Sequence, residues 1–276
     1  MRVLVTGGNG FIGKYVCERL FHWGHEVKVY DLPEDVKSYF HISEAIKGVE
    51  GVIHLAGILG TSETVNNPKP SIETNILGGL NVIDSCFYKG IKCVLIGTGN
   101  WWMNSPYPIT KTAVCKLAFM YNRDRGAKNV VVRGFNAYGP KQKASPVRKI
   151  IPNFIIPALK GEDLIVYGSG EQKMDMIYVG DLADILVRAL VVDHGNYDKE
   201  FQAGTGIAPT VNEIAQTVIT LVGSRSKIVH EPVRKGEEAD ATVVADVETL
   251  KPLGNIKFRD FKEGLKETIE WYRMAV

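Results

Sequence analysis

One stretch limits the fold more than any other: "RVLVTGGNGFIGKYVCERLFHWGHEVKVYD", residues 2–31. It reads as a short apolar strand, a glycine-rich turn, a helix and a second apolar strand. Gly7, Gly10 and Gly13 follow a G-x-x-G-x-x-G spacing. Such a turn lets backbone approach a diphosphate, and the helix it opens offers free N–H groups and a positive dipole end. Asp31 ends the second strand, 18 residues after Gly13. A carboxylate there can accept from adenosine ribose hydroxyls and would repel a 2′-phosphate, so it favours NAD over NADP. The plainer alternative is a tight structural turn with a surface aspartate. The strand before the turn, the helix after it and the placed acid together favour dinucleotide binding.

The alternation continues. "GVIHLAG" is a buried strand, and Leu55, Ala56 and Gly57 end it with residues small enough to let a cofactor pass. His54, inside that apolar strand, is read as core rather than as a metal ligand, and no metal site is expected. "NILGGLNVIDSCFYKGI" has helical spacing, and "KCVLIGTG" and "VVVRGF" are strands. The expected fold is α/β: a Rossmann-type doubly wound parallel sheet with helices on both faces. No low-complexity linker divides the 276 residues. A smaller C-terminal substrate lobe (about 141–173 plus 204–276) is therefore expected to interleave with the nucleotide lobe (about 1–140 plus 174–203). Thr210 is a candidate N-cap for the helix in "PTVNEIAQTVITLVG".

Composition excludes other classes. Lys+Arg minus Asp+Glu is 33 − 31 = +2, with no basic run, so nothing points to nucleic acid. No apolar stretch reaches the roughly 18 residues of a membrane span. The chain opens on a strand with no signal peptide, and its four cysteines form no C-x-x-C pair. A cytoplasmic protein with reduced thiols is expected.

Within "GTGNWWMNSPYPITK", Tyr107 and Lys111 are four apart and share a helix face. Alone, the pair fits a helix surface as well as a catalytic site. Beside a dinucleotide it acquires a use, since oxidising a carbinol by hydride transfer needs a base for the hydroxyl proton. A free tyrosine, with a pKa near 10, is mostly protonated at neutral pH. Bringing it to about 7 takes roughly 4 kcal/mol of preferential phenolate stabilisation. The Lys111 ammonium and an oxidised nicotinamide are the two cations expected to supply it.

The marks "TGGNGFIG", Asp31, "DV" at 35–36, "HLAG", Asn75, Thr98, "YPITK", "RGFNAYGP", "LIVYGSGEQKMDMIYVGDLA" and "VRKGE" occur in this order. With them the chain resembles, over nearly its whole length, the extended short-chain dehydrogenase/reductases of the NAD-dependent nucleotide-sugar epimerase/dehydratase family. The resemblance implies that Gly7, Gly10, Phe11, Ile12 and Gly13 cradle the cofactor diphosphate and that Asp31 holds the ribose. Asp35 and Val36 would border the adenine, and Leu55, Ala56 and Gly57 would line the cofactor path. Thr98, Tyr107 and Lys111 match the catalytic Ser/Thr-Tyr-Lys set. Tyr107 and Lys111 would also meet the cofactor. Asn136, Leu164, Val166, Tyr167, Gln172 and Arg234 fall where the family holds the nucleotide-sugar substrate.

The chain departs from the pattern in three places. Thr98 and Tyr107 are only nine apart, where the family carries a much longer loop, and Trp101 and Trp102 either cover the pocket or plug core space. Gly99 and Asn100 stand where related dehydratases place an acid pair. Met174 replaces an arginine of the diphosphate site, leaving Arg234, with Lys141, Lys143, Arg148 and Lys173 as possible substitutes. The leading expectation is an NAD-dependent 4-epimerase of a UDP-hexose, acting as a homodimer through the 75–88 and 107–122 helices. The alternatives are a ketoreductase or dehydrogenase on the same scaffold and a noncatalytic dinucleotide sensor.

Overall fold

The computed structural model describes residues 1–195 and 197–275. Its centre is a six-stranded sheet of β1 (Arg2–Thr6), β2 (Glu26–Tyr30), β3 (Gly51–His54), β4 (Lys92–Thr98), β5 (Asn129–Gly134) and β10 (Phe201–Ala203). Every pairing is parallel, in the order β2-β1-β3-β4-β5-β10. Parallel strands need crossovers. These are α1 (Phe11–His22), α2 (Tyr39–Ala45), the helical run of α3 (Lys69–Ser71), a π-helical stretch (Ile72–Gly78) and α4 (Gly79–Lys89), then α5 (Pro106–Arg125).

The central strands are buried on both faces and read as near-continuous apolar runs, as a covered parallel sheet requires. Val3, Val5, Ile53, Val94 and Val132 pack toward α1 and α7 (Val179–Val191). Leu4, Val52, Leu95 and Val131 pack toward α2, α4 and α5. The chain leaves edge strand β2 and returns past β1 to β3. The direction of winding therefore reverses between β1 and β3, and a crevice opens at their carboxyl ends.

The smaller C-terminal lobe is built from α6 (Ile150–Lys160), β7 (Leu164–Tyr167), α8 (Val211–Val222), β11 (Ile228–Glu231) and α9 (Phe261–Ala275) around a third apolar core. Thr210 caps α8 in a reciprocal capping box with Glu213, as its sequence position predicts. Short strand pairs complete the lobe: β6 (Asn136–Tyr138) with β9 (Met176–Tyr178), and β8 (Lys173–Met174) with β12 (Thr242–Val243). The fully buried Asp175 ties these segments together. Its carboxylate accepts from the Thr205, Gly206 and Ala245 backbone N–H groups and from the Thr205 hydroxyl. A 3-10 stretch (Val247–Leu253) follows β12. Among the described residues no helix is long and apolar enough to cross a membrane.

Candidate active site

The glycine-rich turn leaves β1 and enters α1 at the crevice, beside the segment Leu55–Gly57 that leaves β3. Gly13 is fixed by space: a β-carbon there would lie 2.2 Å from the Gly7 carbonyl oxygen. α1 therefore starts against the turn, and the N–H groups of its first turn have no carbonyl behind them. Asp31 stands at the mouth of the same cradle, where its carboxylate accepts from the Asn9 and Leu32 N–H groups, each at 2.8 Å. Asp35 accepts from the Lys37 N–H and pairs with its ammonium. Val36 turns its side chain into the core and gives its carbonyl to Asn81. Cradle, helix end and carboxylate fit a dinucleotide diphosphate and ribose.

Asn75 ties the segment after β3 to α5. Its amide accepts from the Ile58 N–H at 2.8 Å, donates to the Ile58 carbonyl and donates to the Thr110 hydroxyl at 2.9 Å. Thr110 in turn donates to the Tyr107 carbonyl. Asn75 lies in the π-helical stretch, a local widening that recurs at functional sites.

Thr98 at the end of β4 and Tyr107 in the first turn of α5 lie near each other, close enough for the Thr98 hydroxyl to act on the phenol. Lys111, one helical turn on, is buried. Burial pushes the Tyr107 phenol above its ordinary value, against the effect of the Thr98 hydroxyl, and Cys115 adds to the rise. Burial also pulls the Lys111 ammonium down. The sequence argument made Lys111 a driver of phenol ionisation; in this arrangement burial sets the direction, and the group that opposes it is Thr98. The resting pair is a neutral phenol over a buried lysine. Thr98 also donates to the Asn100 side-chain carbonyl. Its single proton serves Asn100 while the phenol is neutral and can turn to a phenolate. His54 beneath the site is buried, bonds Thr6 at 2.7 Å and is pulled down to about 3 by burial and by Lys111.

The short connection from Thr98 to Tyr107 is closed by packing. A β-carbon on Gly99 would lie 2.9 Å from the Phe135 ring, so the acid found in related dehydratases has no room unless that ring moves. Trp102 and Met103 pack with Phe135, Ala241 and Val243, joining the catalytic segment to β12. Trp101 is half-exposed and stacks 4.9 Å from the Arg133 guanidinium, which pairs with Glu200. The two tryptophans thus take separate parts: Trp102 fills space between the lobes and Trp101 covers a largely buried ion pair.

In the smaller lobe the expected ligand residues divide. Asn136 commits its amide to the Asp175 carbonyl. Leu164 and Val166 are buried in the lobe core, on a strand that pairs with β11, and the Leu164 N–H donates to the Lys227 carbonyl. Gln172 closes its turn onto the Tyr167 carbonyl at 2.8 Å, and its own side-chain oxygen is buried without a partner. Ser105, which opens α5, likewise has a buried hydroxyl with no partner among the described residues. Met174 packs into the apolar core. The Tyr167 ring has two guanidinium groups 5.2 Å from its centre, Arg148 and Arg234.

Residues 3–204 match the NAD dependent epimerase/dehydratase family. The chain belongs to that family. It is an NAD-dependent enzyme. A UDP-N-acetyl-alpha-D-glucosaminuronate decarboxylase from Bacillus cytotoxicus is 31% identical over 316 residues, covering 99% of this chain and 98% of its own. The UDP-glucose 4-epimerase of Thermotoga maritima, solved with UDP-glucose, superposes with a TM-score of 0.92 at 27% identity, covering 100% of this chain and 99% of its own. The Thermus thermophilus UDP-glucose 4-epimerase, solved with NAD, gives 0.90 at 26% identity with 100% of both chains covered.

Proposed function

We propose that this enzyme is a nucleotide-sugar 4-epimerase and that its substrate is a UDP-hexose. The observation that carries the reading is the Thr98–Tyr107 hydroxyl pair on buried Lys111, with no acid at positions 99 and 100. NAD, held by the Gly7–Gly13 turn with Phe11 and Ile12, by Asp31 and by the backbone about Asp35, Val36 and Leu55–Gly57, supplies the hydride acceptor and donor at C4. Asp31 selects NAD over NADP by charge repulsion.

Tyr107 first gives its phenol proton to solvent; the phenolate then takes the C4 hydroxyl proton and returns it, and Thr98 orients that hydroxyl. Lys111 holds positive charge beside the developing phenolate. The resulting keto sugar must turn over before it is reduced, so Arg234 and the 164–172 segment hold the nucleoside diphosphate and leave the hexose free to rotate. Gly99 and Asn100 offer no acid or base that would divert the intermediate. The similarity to a decarboxylase supplies a second reading, C4 oxidation followed by loss of carbon dioxide from a uronic acid. We also propose a cytoplasmic homodimer, since Ile72, Leu77, Tyr88 and Ile109 expose apolar surface on the 72–89 and 106–125 helices.

Purified enzyme with catalytic NAD in D₂O tests the proposal. A UDP-hexose should convert to its C4 epimer with no deuterium on carbon and no build-up of NADH, and light scattering should give a dimer mass. Stoichiometric NADH would make it a dehydrogenase. Carbon dioxide from a UDP-hexuronic acid, with hexoses untouched, would make it a decarboxylase, and deuterium at C5 would restore dehydratase-like chemistry.

A further inference from the structure

Glu63 belongs to the loop that follows β3, outside the catalytic set, yet its carboxylate reaches the smaller lobe. It accepts from the Arg148 backbone N–H at 3.0 Å and pairs with the Arg234 guanidinium at 3.3 Å. Lys149, the next residue, faces the same two groups, Glu63 and Arg234. Its ammonium is partly buried and makes no ion pair within 4.0 Å among the described residues. Arg234 is also held by Glu237, and it lies against Tyr167 together with Arg148. Three cations thus meet two carboxylates, leaving a net positive charge in a partly desolvated place.

The loop is shaped for this contact. Gly60 has φ +110°, and a β-carbon there would lie 2.5 Å from the Glu63 carboxylate, so only glycine lets that side chain fold back across the turn. Gly236, two residues past Arg234, sits against Val65 and the Thr61 carbonyl of the same turn. A lone ammonium in a partly buried site is costly unless an anion meets it. Glu63 is the nearby anion that the chain itself provides, and it approaches Arg234 and a backbone N–H as a phosphate oxygen would.

We propose that Lys149 and Arg234 form a two-cation diphosphate site and that Glu63 is its built-in placeholder, displaced when the ligand's diphosphate arrives. Lys149 then supplies the charge lost where Met174 replaces an arginine. None of the substitutes suggested by sequence (Lys141, Lys143, Arg148 and Lys173) includes it. The inference rests on the nucleotide-sugar reading for the identity of the ligand, and on the charge cluster for the rest.

Calorimetry on the full chain with UDP, uridine and inorganic pyrophosphate tests it. Glu63→Gln keeps the shape and the acceptor oxygen but removes the competing charge, and should tighten UDP by about tenfold. Lys149→Met should weaken UDP by about 10–100-fold, with Lys149→Arg restoring most of it and uridine unaffected. Wild-type binding of UDP with Glu63→Gln unchanged or weaker, or with Lys149→Met unchanged, overturns the inference and leaves the substrate reading intact. Binding of pyrophosphate but not UDP, with the same pattern in the variants, supports the site and overturns the nucleotide reading. Binding of neither overturns both.

Discussion

The molecule offers two settings for a diphosphate, and they are built from different materials. The Gly7–Gly13 turn presents backbone N–H groups and a helix end. The cluster about Arg234 presents side-chain charge, drawn from residues 63, 148, 149, 234 and 237 on three separate segments. A backbone cradle is rigid and needs no counterion, because its donors are partial charges already fixed by the helix. A side-chain cluster carries whole charges, which must be neutralised whenever the ligand is away. The difference teaches that the cofactor end is prepared by steric fit and the proposed substrate end by charge balance.

The comparison is tested most severely by separating chemistry from binding. Tyr107→Phe removes only the ionisable oxygen, so turnover should fall about 10²–10⁴-fold. NAD affinity, measured by calorimetry, should hold because the cradle is untouched. A near wild-type rate would show that another group acts as the base.

The converse change is Gly13→Ala, whose β-carbon must displace the Gly7 carbonyl. The overpacking should cost about 1–3 kcal/mol of stability in denaturant titrations. NAD affinity should drop in the same protein, while UDP affinity at the charge cluster holds. Equal loss of both ligands would mean that the two sites are not independent.

The smallest effect concerns the floor beneath the catalytic helix. His54 is pulled to about 3 in the folded chain, below the ordinary value of about 6.5. The unfolded chain therefore takes up a proton that the folded chain refuses. This group's contribution is fully present above about pH 6.5 and is lost as pH falls toward 3, by about 1.4 kcal/mol per unit. Denaturation at about pH 7.5 and about pH 5 should show that slope in the wild type and not in His54→Asn. Equal slopes would mean that His54 is not the group refusing the proton.

Much of the site was legible beforehand, for reasons that differ by residue. Tyr107 and Lys111 share a face because helical spacing alone puts them there. Thr98 meets them despite the nine-residue connection because it ends the neighbouring strand. The side-chain ionisation argument was not legible: burial, which raises the phenol, depends on how α5 seats against the sheet. The same holds for Leu164 and Val166, whose side chains turn into the lobe core.

Sequence by itself determined the parallel sheet, the glycine turn with Asp31 at its mouth, the Thr210 cap and the order of the candidate catalytic residues. Each follows from backbone conformation and near neighbours, which residue type and spacing dictate. Only the tertiary structure decided that Phe135 excludes an acid at Gly99, that Trp101 and Trp102 take different parts, and that Glu63 and Lys149 face Arg234. Those outcomes depend on which segments, distant along the chain, are pressed together when the apolar faces of sheet and helices are buried, and no local pattern encodes that meeting.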